Sequence, residues 1–445
     1  MAKKQTTQFV CQQCGAIRSK WTGRCDNCGE WNSFVEQLPV ESLASASAKV
    51  LVAAPVTEIP SEDHSLRLST GLASIDEVLG GGIVPASVIL LAGQPGIGKS
   101  TLLMQLAYLI SKNNSVLYVS AEESVAQVRD RAERLGAVHD QLHLASATSA
   151  DDIAATIADS KYKLVIVDSI QTITAQAISS SAGSVSQVTN CVNMLTRAAK
   201  AHNTALVVVG HVTKEGSIAG PKMLEHLVDV VLNLEGDRYS GFKVVRAPKN
   251  RYGSTNEAAI FEMTEGGLQA VENPSATLLA ERQITDGSVV LATLEGSRPL
   301  LVEVQALVNK TSFGYPKRTA SGFDLNRLNL LIAVLERRTS LNLSDMDIFI
   351  NVVGGIKLQD PGADLAICMA IASSARSMKL DPQAVVCGEV GLSGEIRRAP
   401  QIEKRCAEAK KIGFKKVIGP VYTKHPAILQ GTGSLKEALN TYLQK

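Results

Sequence analysis

Gly93-Gln94-Pro95-Gly96-Ile97-Gly98-Lys99-Ser100 follows the pattern G-x-x-x-x-G-K-[ST] without a gap. The chemistry of such a run is phosphate binding. Its glycines let backbone N–H groups turn inward around a triphosphate, its lysine reaches the β- and γ-phosphates, and its hydroxyl holds Mg²⁺. The apolar residues 87–92 lead in as a strand, and Thr101-Leu102-Leu103-Met104-Gln105-Leu106-Ala107 lead out as a helix. That helix points the positive end of its dipole at the bound anion. Gly93, Gln94, Pro95, Gly96, Ile97, Gly98, Lys99, Ser100 and Thr101 are therefore assigned to ATP or ADP, and Ser100 also to Mg²⁺.

Two other strand ends carry acids. Leu164-Val165-Ile166-Val167-Asp168 is an apolar strand ending in a carboxylate. In an α/β sheet that end faces the ligand crevice, so Asp168 can hold the Mg²⁺ shell beside Ser100. Val116-Leu117-Tyr118-Val119-Ser120 ends in Ala121-Glu122-Glu123. Hydrolysis needs a base to orient water in line with the γ-phosphate, and either Glu122 or Glu123 can supply it.

A different chemistry opens the chain. Cys11-Gln12-Gln13-Cys14 and Cys25-Asp26-Asn27-Cys28 are two CxxC pairs separated by ten residues. Cys11, Cys14, Cys25 and Cys28 match a closed tetrahedral Zn²⁺ site, structural and not catalytic. Gly15 and Gly29 follow the pairs, where knuckle turns require a positive φ. A module of about 35 residues builds too little core to fold alone, so the metal supplies its folding energy. Arg18, Lys20, Trp21 and Arg24 lie between the knuckles and suit either nucleic acid or a partner, or form a solvated loop with one packed Trp.

These sites need scaffolds. A chain of 445 residues admits two to four domains. Net charge is +2, so a nucleic-acid site must be a local patch. Cys191, Cys368, Cys387 and Cys406 are scattered and read as reduced thiols. No secretory signal follows Lys3-Lys4 and no apolar run reaches about 18 residues, which gives a cytoplasmic, non-membrane expectation. The organisation expected is a zinc module over 1–35, a linker over 36–64, an ATPase domain over 65–272 and a third domain over 275–445. In the ATPase domain, apolar strands at 115–120, 164–168 and 205–210 alternate with helices such as 125–135 and 188–202. That pattern implies an α/β fold with a parallel sheet covered on both faces. Strands 228–234 and 242–247 read as an antiparallel edge pair. The third domain mixes strands (287–295, 300–308, 347–353) and helices (326–338, 363–377, 402–412) as α+β.

The second module resembles the RecA-like ATPases: recombinases, ring helicases and clock ATPases. Thr70-Gly71, Ile75-Asp76, Gly80-Gly81-Gly82, the phosphate loop and the two acidic strand ends occur in that group's order. The resemblance implies that Glu122 activates water, with Glu123 as the fallback. It places His211 as a γ-phosphate sensor. It also implies that residues 174–187, read as a flexible loop, and 213–224, with Lys214 and Lys222, face DNA. Lys249-Asn250-Arg251-Tyr252-Gly253 is similar to the K-N-R-[FY]-G signature of the bacterial RadA (Sms) recombination family. In that reading Lys249 and Arg251 enter a neighbouring subunit's ATP site, which demands a homo-oligomeric ring such as a hexamer.

The tail resembles the Lon protease domain through residues 301–308, 322–327 and 388–396. Ala363 in Asp360-Pro361-Gly362-Ala363-Asp364 stands where the serine nucleophile belongs, and Glu403, with Lys404 one step on, falls at the lysine. The resemblance therefore implies a protease-inactive scaffold. Its basic residues Arg397, Arg398, Lys404, Arg405, Lys410, Lys411, Lys415 and Lys416 form either a phosphate-binding face or a solvated one. The functional expectation is a DNA-dependent ATPase acting on single-stranded and branched DNA, with recombinase or replication proteins as further partners. The alternatives are an ATP-dependent protease or unfoldase, and a clock-like signalling ATPase.

Overall fold

The computed structural model describes residues 8–37, 55, 57, 67–159, 162–211, 221–236, 242–312, 314–424 and 426–444. The chain divides into two compact units. The first comprises residues up to Glu235 with 245–255 and 264–269; the second comprises 236–244, 256–263 and the chain from Ala270 onward.

The first unit begins with three short antiparallel strands, β1 (Gln8–Cys11), β2 (Ile17–Arg18) and β3 (Phe34–Gln37), in the order β2-β1-β3. Its buried cluster is only Cys11, Cys25 and Phe34, with Phe9 and Ala16 packed against them. So small a core leaves folding to the metal.

There follow α1 (Ala73–Leu79), β4 (Val88–Gly93), α2 (Lys99–Ser111), β5 (Val116–Ser120), α3 (Val125–Arg134), β6 (Leu142–Ser146), α4 (Ala150–Ala158), β7 (Leu164–Asp168), α5 (Val185–Ala201), β8 (Ala205–His211), α6 (Pro221–Leu227) and β9 (Val230–Glu235). Six strands pair in parallel in the order β9-β4-β8-β7-β5-β6. Every residue of β4 and β5 is buried. Both faces are covered, so the strands read as continuous apolar runs and not as alternating ones. On one face Val88, Leu90, Val165, Val167, Leu206 and Val208 meet α4 and α5. Helix α5 presents Val188, Cys191, Val192, Leu195 and Ala199, the i, i+3, i+4, i+7 stripe of an amphipathic helix. Serines start the helices: Ser124 with Gln127 makes a capping box on α3, and Ser149 and Ser184 cap α4 and α5.

Three sequence expectations are corrected. Strand β9 neighbours β10 (Phe242–Asn250) as expected but is also parallel to β4, with Gly93 opposite Leu234, so it is an inner strand and not an edge. Residues 221–227 form α6 and not a loop, while Lys214 lies outside the described residues. Strand β10 runs past the expected end at 247, so Lys249 and Asn250 lie within it. Strands β10, β11 (Ala258–Thr264) and β12 (Gly267–Ala270) are each divided between the two units.

The second unit continues with α7 (Pro274–Leu279), β13 (Ser288–Glu295), β14 (Arg298–Lys310), β15 (Arg318–Ser321), α8 (Leu325–Thr339), β16 (Met346–Val352), α9 (Asp364–Arg376), β17 (Lys379–Leu380), β18 (Ala384–Val386), β19 (Glu389–Val390), β20 (Ile396–Arg397), α10 (Ile402–Ile412), β21 (Lys416–Gly419), β22 (Leu429–Gly431), α11 (Leu435–Tyr442) and β23 (Leu443–Gln444). Its mixed sheet runs β15-β16-β14-β13-β18-β21-β22. Val289 and Leu291 of β13 face a core with α8, α9 and α11, while Val290 and Ala292 face α10. The period of two divides the strand between two helical layers.

One buried ion pair organises this unit. Arg405 of α10 is fully buried and donates from Nη1 to Asp360 Oδ2 and to Ala292 O, both at 2.6 Å, and from Nε to Pro400 O at 2.9 Å. Asp360 also receives Gly362 N–H, Leu294 N–H and the Thr293 hydroxyl. Burial pushes the Asp360 carboxyl up, but the Arg405 guanidinium, the Gly362 N–H and the Thr293 hydroxyl together hold the group below its ordinary value. Arg405 therefore leaves the set of basic residues available to phosphate. Asp360→Ala strands a buried guanidinium, and we expect it to destabilise this unit by about 3–5 kcal/mol. Amide exchange in α10 and β13 checks this against exposed Glu403→Ala, which shifts stability by under about 0.5 kcal/mol.

Candidate nucleotide site, zinc centre and distal basic motif

The phosphate loop leaves β4 with Gly96 at φ 76° and Gly98 at φ 115°, left-handed values that glycine reaches without strain. Gln94, Pro95 and Gly96 are exposed and Ile97 is buried beneath them. Lys99 begins α2 and is only 4% exposed. Its Nζ donates to Gly93 O at 2.9 Å and Gln94 O at 3.0 Å. Burial lowers its pKa to about 8, while the carboxylates of Asp168 and Glu122 pull the other way. The residues fit a polyphosphate: a desolvated ammonium, exposed loop backbone and a helix start converge at one strand end. Bound ATP supplies the phosphoryl group whose charge these donors are placed to balance.

Asp168 closes β7 beside this loop. The Tyr118 hydroxyl donates to Asp168 Oδ2 at 2.6 Å and also interacts with Ser100. Tyr118 thus connects the two side chains assigned to Mg²⁺. Burial first, then the Asp168 charge, pushes the Tyr118 hydroxyl well above its ordinary pKa, so it remains a donor.

The structure separates the two glutamates. Glu123 forms an ion pair with Arg131 of α3, and its N–H is held by Ser120 Oγ at 2.9 Å. Glu122 is exposed, accepts from the Ser169 hydroxyl, and acts electrostatically on Lys99. Of the pair, Glu122 is the acid turned toward the phosphate loop. The backbone of His211 is the register partner of Gly93, at the loop's first residue. Residues 174–184 are anchored and not a free loop: Ala175 and Ile178 are buried, and Gln187 bonds Ala175 N, Ile178 O and Ser180 O.

Lys249 and Arg251 are not at this site. Arg251 Nη1 donates to Asp229 Oδ1 at 3.2 Å, and Lys249 Nζ donates to Glu225 O. Asp229 lies just before β9 and accepts from Val88 N at the start of β4. The phosphate loop is at the other end of β4, about 17 Å away at 3.3–3.4 Å per residue. Asn250 and Tyr252 pack beside α1: Asn250 donates to Val78 O, and Arg67 bridges Leu79 O and Tyr252 O. Asp76 of the opening motif accepts from Thr70 N and the Ser69 hydroxyl, closing its own turn.

In the N-terminal module the four cysteine sulfurs lie within 4.8 Å of one another, with Cys11–Cys28 and Cys14–Cys25 at 3.6 Å. A tetrahedral Zn²⁺ with bonds of about 2.3 Å needs sulfurs about 3.8 Å apart, so the donor set fits. Gly15 and Gly29 have φ of 74° and 77°, as the knuckles require. Ser33 Oγ is 3.2 Å from Cys11 Sγ, and its hydrogen bond lowers that thiol to about 6, toward the thiolate a metal needs. Both Trp21 and Trp31 are exposed, and Arg24 lies over the Trp31 ring at 5.7 Å. Of the two readings of the loop between the knuckles, the solvated loop with a packed Trp does not hold for Trp21. The module is tied to α5: Ser186 Oγ donates to Glu36 O and Ser179 Oγ to the Glu36 carboxylate.

In the second unit Ala363 is buried beside the Asp360–Arg405 pair, and Glu403 is exposed. Several basic residues of the tail are already matched: Arg397 with Glu395, Lys411 with Glu408 and Lys416 with Asp381.

Residues 9–36 match a family model described as a rubredoxin metal binding domain, 55–217 one described as an AAA domain, and 329–422 one described as subunit ChlI of Mg-chelatase. The DNA repair protein RadA of Halalkalibacterium halodurans is 48% identical over 428 residues, covering 94% of this chain and 93% of that protein. The DNA repair protein RadA of Bacillus subtilis is 47% identical over 455 residues, covering 99% of each. The chain belongs to the RadA family of DNA repair proteins. The crystal structure of the RadB recombinase, at 26% identity and a TM-score of 0.38, covers 46% of this chain and 100% of that one.

Family membership makes this a RecA-like ATPase of DNA repair that uses ATP with Mg²⁺ and carries Zn²⁺ on its four cysteines. Among the described residues no helix is long and apolar enough to cross a membrane.

Sequence reasoning missed Tyr118, Arg131 and Asp229. Two of them left a signal: Tyr118 is the one hydroxyl-bearing aromatic in the strand V-L-Y-V-S, and Asp229 is a lone acid within Leu227-Val228-Asp229-Val230-Val231. Tyr118→Phe removes one outer hydrogen bond from an Mg²⁺-assigned carboxylate. The Mg²⁺ concentration for half-maximal ATP turnover should rise about tenfold. An Mg²⁺ titration at saturating ATP measures it. Cys25→Ser should release the bound zinc and unprotect residues 8–37, while nucleotide affinity stays within about twofold. Metal analysis and amide exchange together check that outcome.

Proposed function

We propose that this chain is a DNA-dependent ATPase motor that binds single-stranded DNA and drives branch migration of recombination intermediates. Each ATP site is completed in trans by Lys249 and Arg251 of a neighbouring subunit in a ring. The observation that carries this reading is the separation of the K-N-R-Y-G motif from its own phosphate loop by the length of β4. A guanidinium held about 17 Å from its own nucleotide cannot neutralise that nucleotide's transition state, but it can serve the site of an adjoining subunit.

Within the site, Lys99 and the loop backbone bind the phosphates, Ser100 and Asp168 hold Mg²⁺, Glu122 orients water, and His211 senses the γ-phosphate. Residues 174–187 and the segment carrying Lys214 and Lys222 contact DNA by the same reading. The tail is protease-inactive: Ala363 has no nucleophilic atom and lies buried in the apolar core of the second unit. It serves ring assembly and contact with DNA or protein. Recombinase or replication proteins complete the partners, and the site of action is the cytoplasm.

The test is steady-state ATP turnover with and without single-stranded DNA across a salt series. Stimulation that falls steeply with salt is expected, since phosphate contacts release counterions. A rate indifferent to DNA contradicts the motor. Lys99→Ala should abolish turnover. Arg251→Ala should leave nucleotide affinity within about threefold and lower turnover about 10³-fold. Lost affinity in Arg251→Ala would contradict a role in trans.

A further inference from the structure

Asp229 is a buried carboxylate with an unusual set of donors. It is 2% exposed. Its Oδ2 accepts from Val88 N at 3.0 Å, while its Oδ1 accepts from Arg251 Nη1 at 3.2 Å and Lys200 Nζ at 3.3 Å. Its own backbone C=O accepts from Arg251 N at 3.2 Å. The two cations are half-exposed, with side-chain exposures of 55% for Arg251 and 48% for Lys200. One buried oxygen thus holds two cations whose far ends face solvent.

We propose that Asp229 is the positioning residue of the trans-acting element. It shares one carboxylate oxygen between Lys200 and Arg251, so that Arg251 is presented to the neighbouring subunit's nucleotide. This inference rests on the trans reading of the ATP site and names the residue behind it. The electrostatics require the sharing. A buried carboxylate that loses its only counter-ion is left uncompensated, and that would oppose release of Arg251. Lys200 keeps the charge matched when Arg251 turns to a phosphate. Val88 N fixes the other oxygen, so the carboxylate does not rotate to follow the departing guanidinium. Arg251 N–H on the Asp229 carbonyl keeps the backbone of the motif in place while its side chain moves.

Asp229 touches neither ATP nor Mg²⁺ of its own subunit, so its effect must pass through the neighbour. Asp229→Asn keeps an oxygen for Val88 N–H and removes the charge that holds the two cations. Nucleotide affinity should stay at the wild-type value, and turnover should fall at least tenfold. The deciding readout is rescue in mixed rings. Lys99→Ala subunits have a dead site and an intact basic motif. In a one-to-one mixture, about a quarter of all sites combine a live phosphate loop with an intact neighbouring motif.

Turnover near a quarter of wild type in the Asp229→Asn mixture, matching an Arg251→Ala mixture run beside it, is the expected result. Rescue of Arg251→Ala without rescue of Asp229→Asn would show that Asp229 acts on its own subunit, overturning this inference and leaving the trans reading intact. Rescue of neither overturns both. Lys200→Met, an exposed change, tests the sharing separately: turnover should fall severalfold and recover in the same mixture. Wild-type turnover in unmixed Asp229→Asn or in unmixed Lys200→Met overturns the proposal.

Discussion

Lys99 carries its ammonium into a place almost closed to water, where the carbonyl oxygens of Gly93 and Gln94 accept two of its hydrogen bonds. A cation so buried is costly unless donors and acceptors are fixed before it arrives. The six-stranded parallel sheet provides that fixity. Strands β4 and β5 are buried along their whole length, so their charged neighbours gather at strand ends. Lys99, Glu122 and Asp168 gather at the carboxyl ends of β4, β5 and β7, and the backbone of His211 joins them at the end of β8. The Tyr118 hydroxyl, inside β5, holds Asp168 from below.

The strand that ends in the phosphate loop begins at Val88, whose N–H is held by Asp229. A parallel strand has two chemically distinct ends, and this chain uses both. One end carries the phosphate loop; the other gathers Lys200, Lys249 and Arg251. Because β4 is rigid, the two cannot meet within one subunit, and neighbouring subunits become part of the proposed chemistry. The second unit follows a different logic. There the Asp360–Arg405 pair fills the region beside Ala363 with a structural ion pair, and the buried charges hold helix α10 to β13.

Much of this was legible in the sequence because the signals were local. The phosphate loop, the acidic strand ends and the paired CxxC knuckles depend on spacing within a few residues. What was not legible depends on contacts across long separations. Asp229 meets Val88 over 141 residues, and Tyr118 meets Asp168 over 50. Arg405 looked like one more basic residue on a helix until the fold placed it inward against Asp360. Glu122 and Glu123 are adjacent and chemically alike, and what tells them apart is contacts from other elements: Arg131 in the last turn of α3 takes Glu123, and Ser169 takes Glu122. Strand β9 was expected at an edge, but it pairs directly with β4, a contact between segments 141 residues apart that no local pattern shows.

The central claim is that one subunit's ATP site needs a second subunit. The most direct measurement is ATP turnover per subunit as protein concentration spans the range in which sedimentation shows monomer becoming assembly. The account predicts that turnover per subunit is negligible for monomer and rises in step with assembled mass. Turnover per subunit that is constant across that range, and already complete in the monomer, would contradict it.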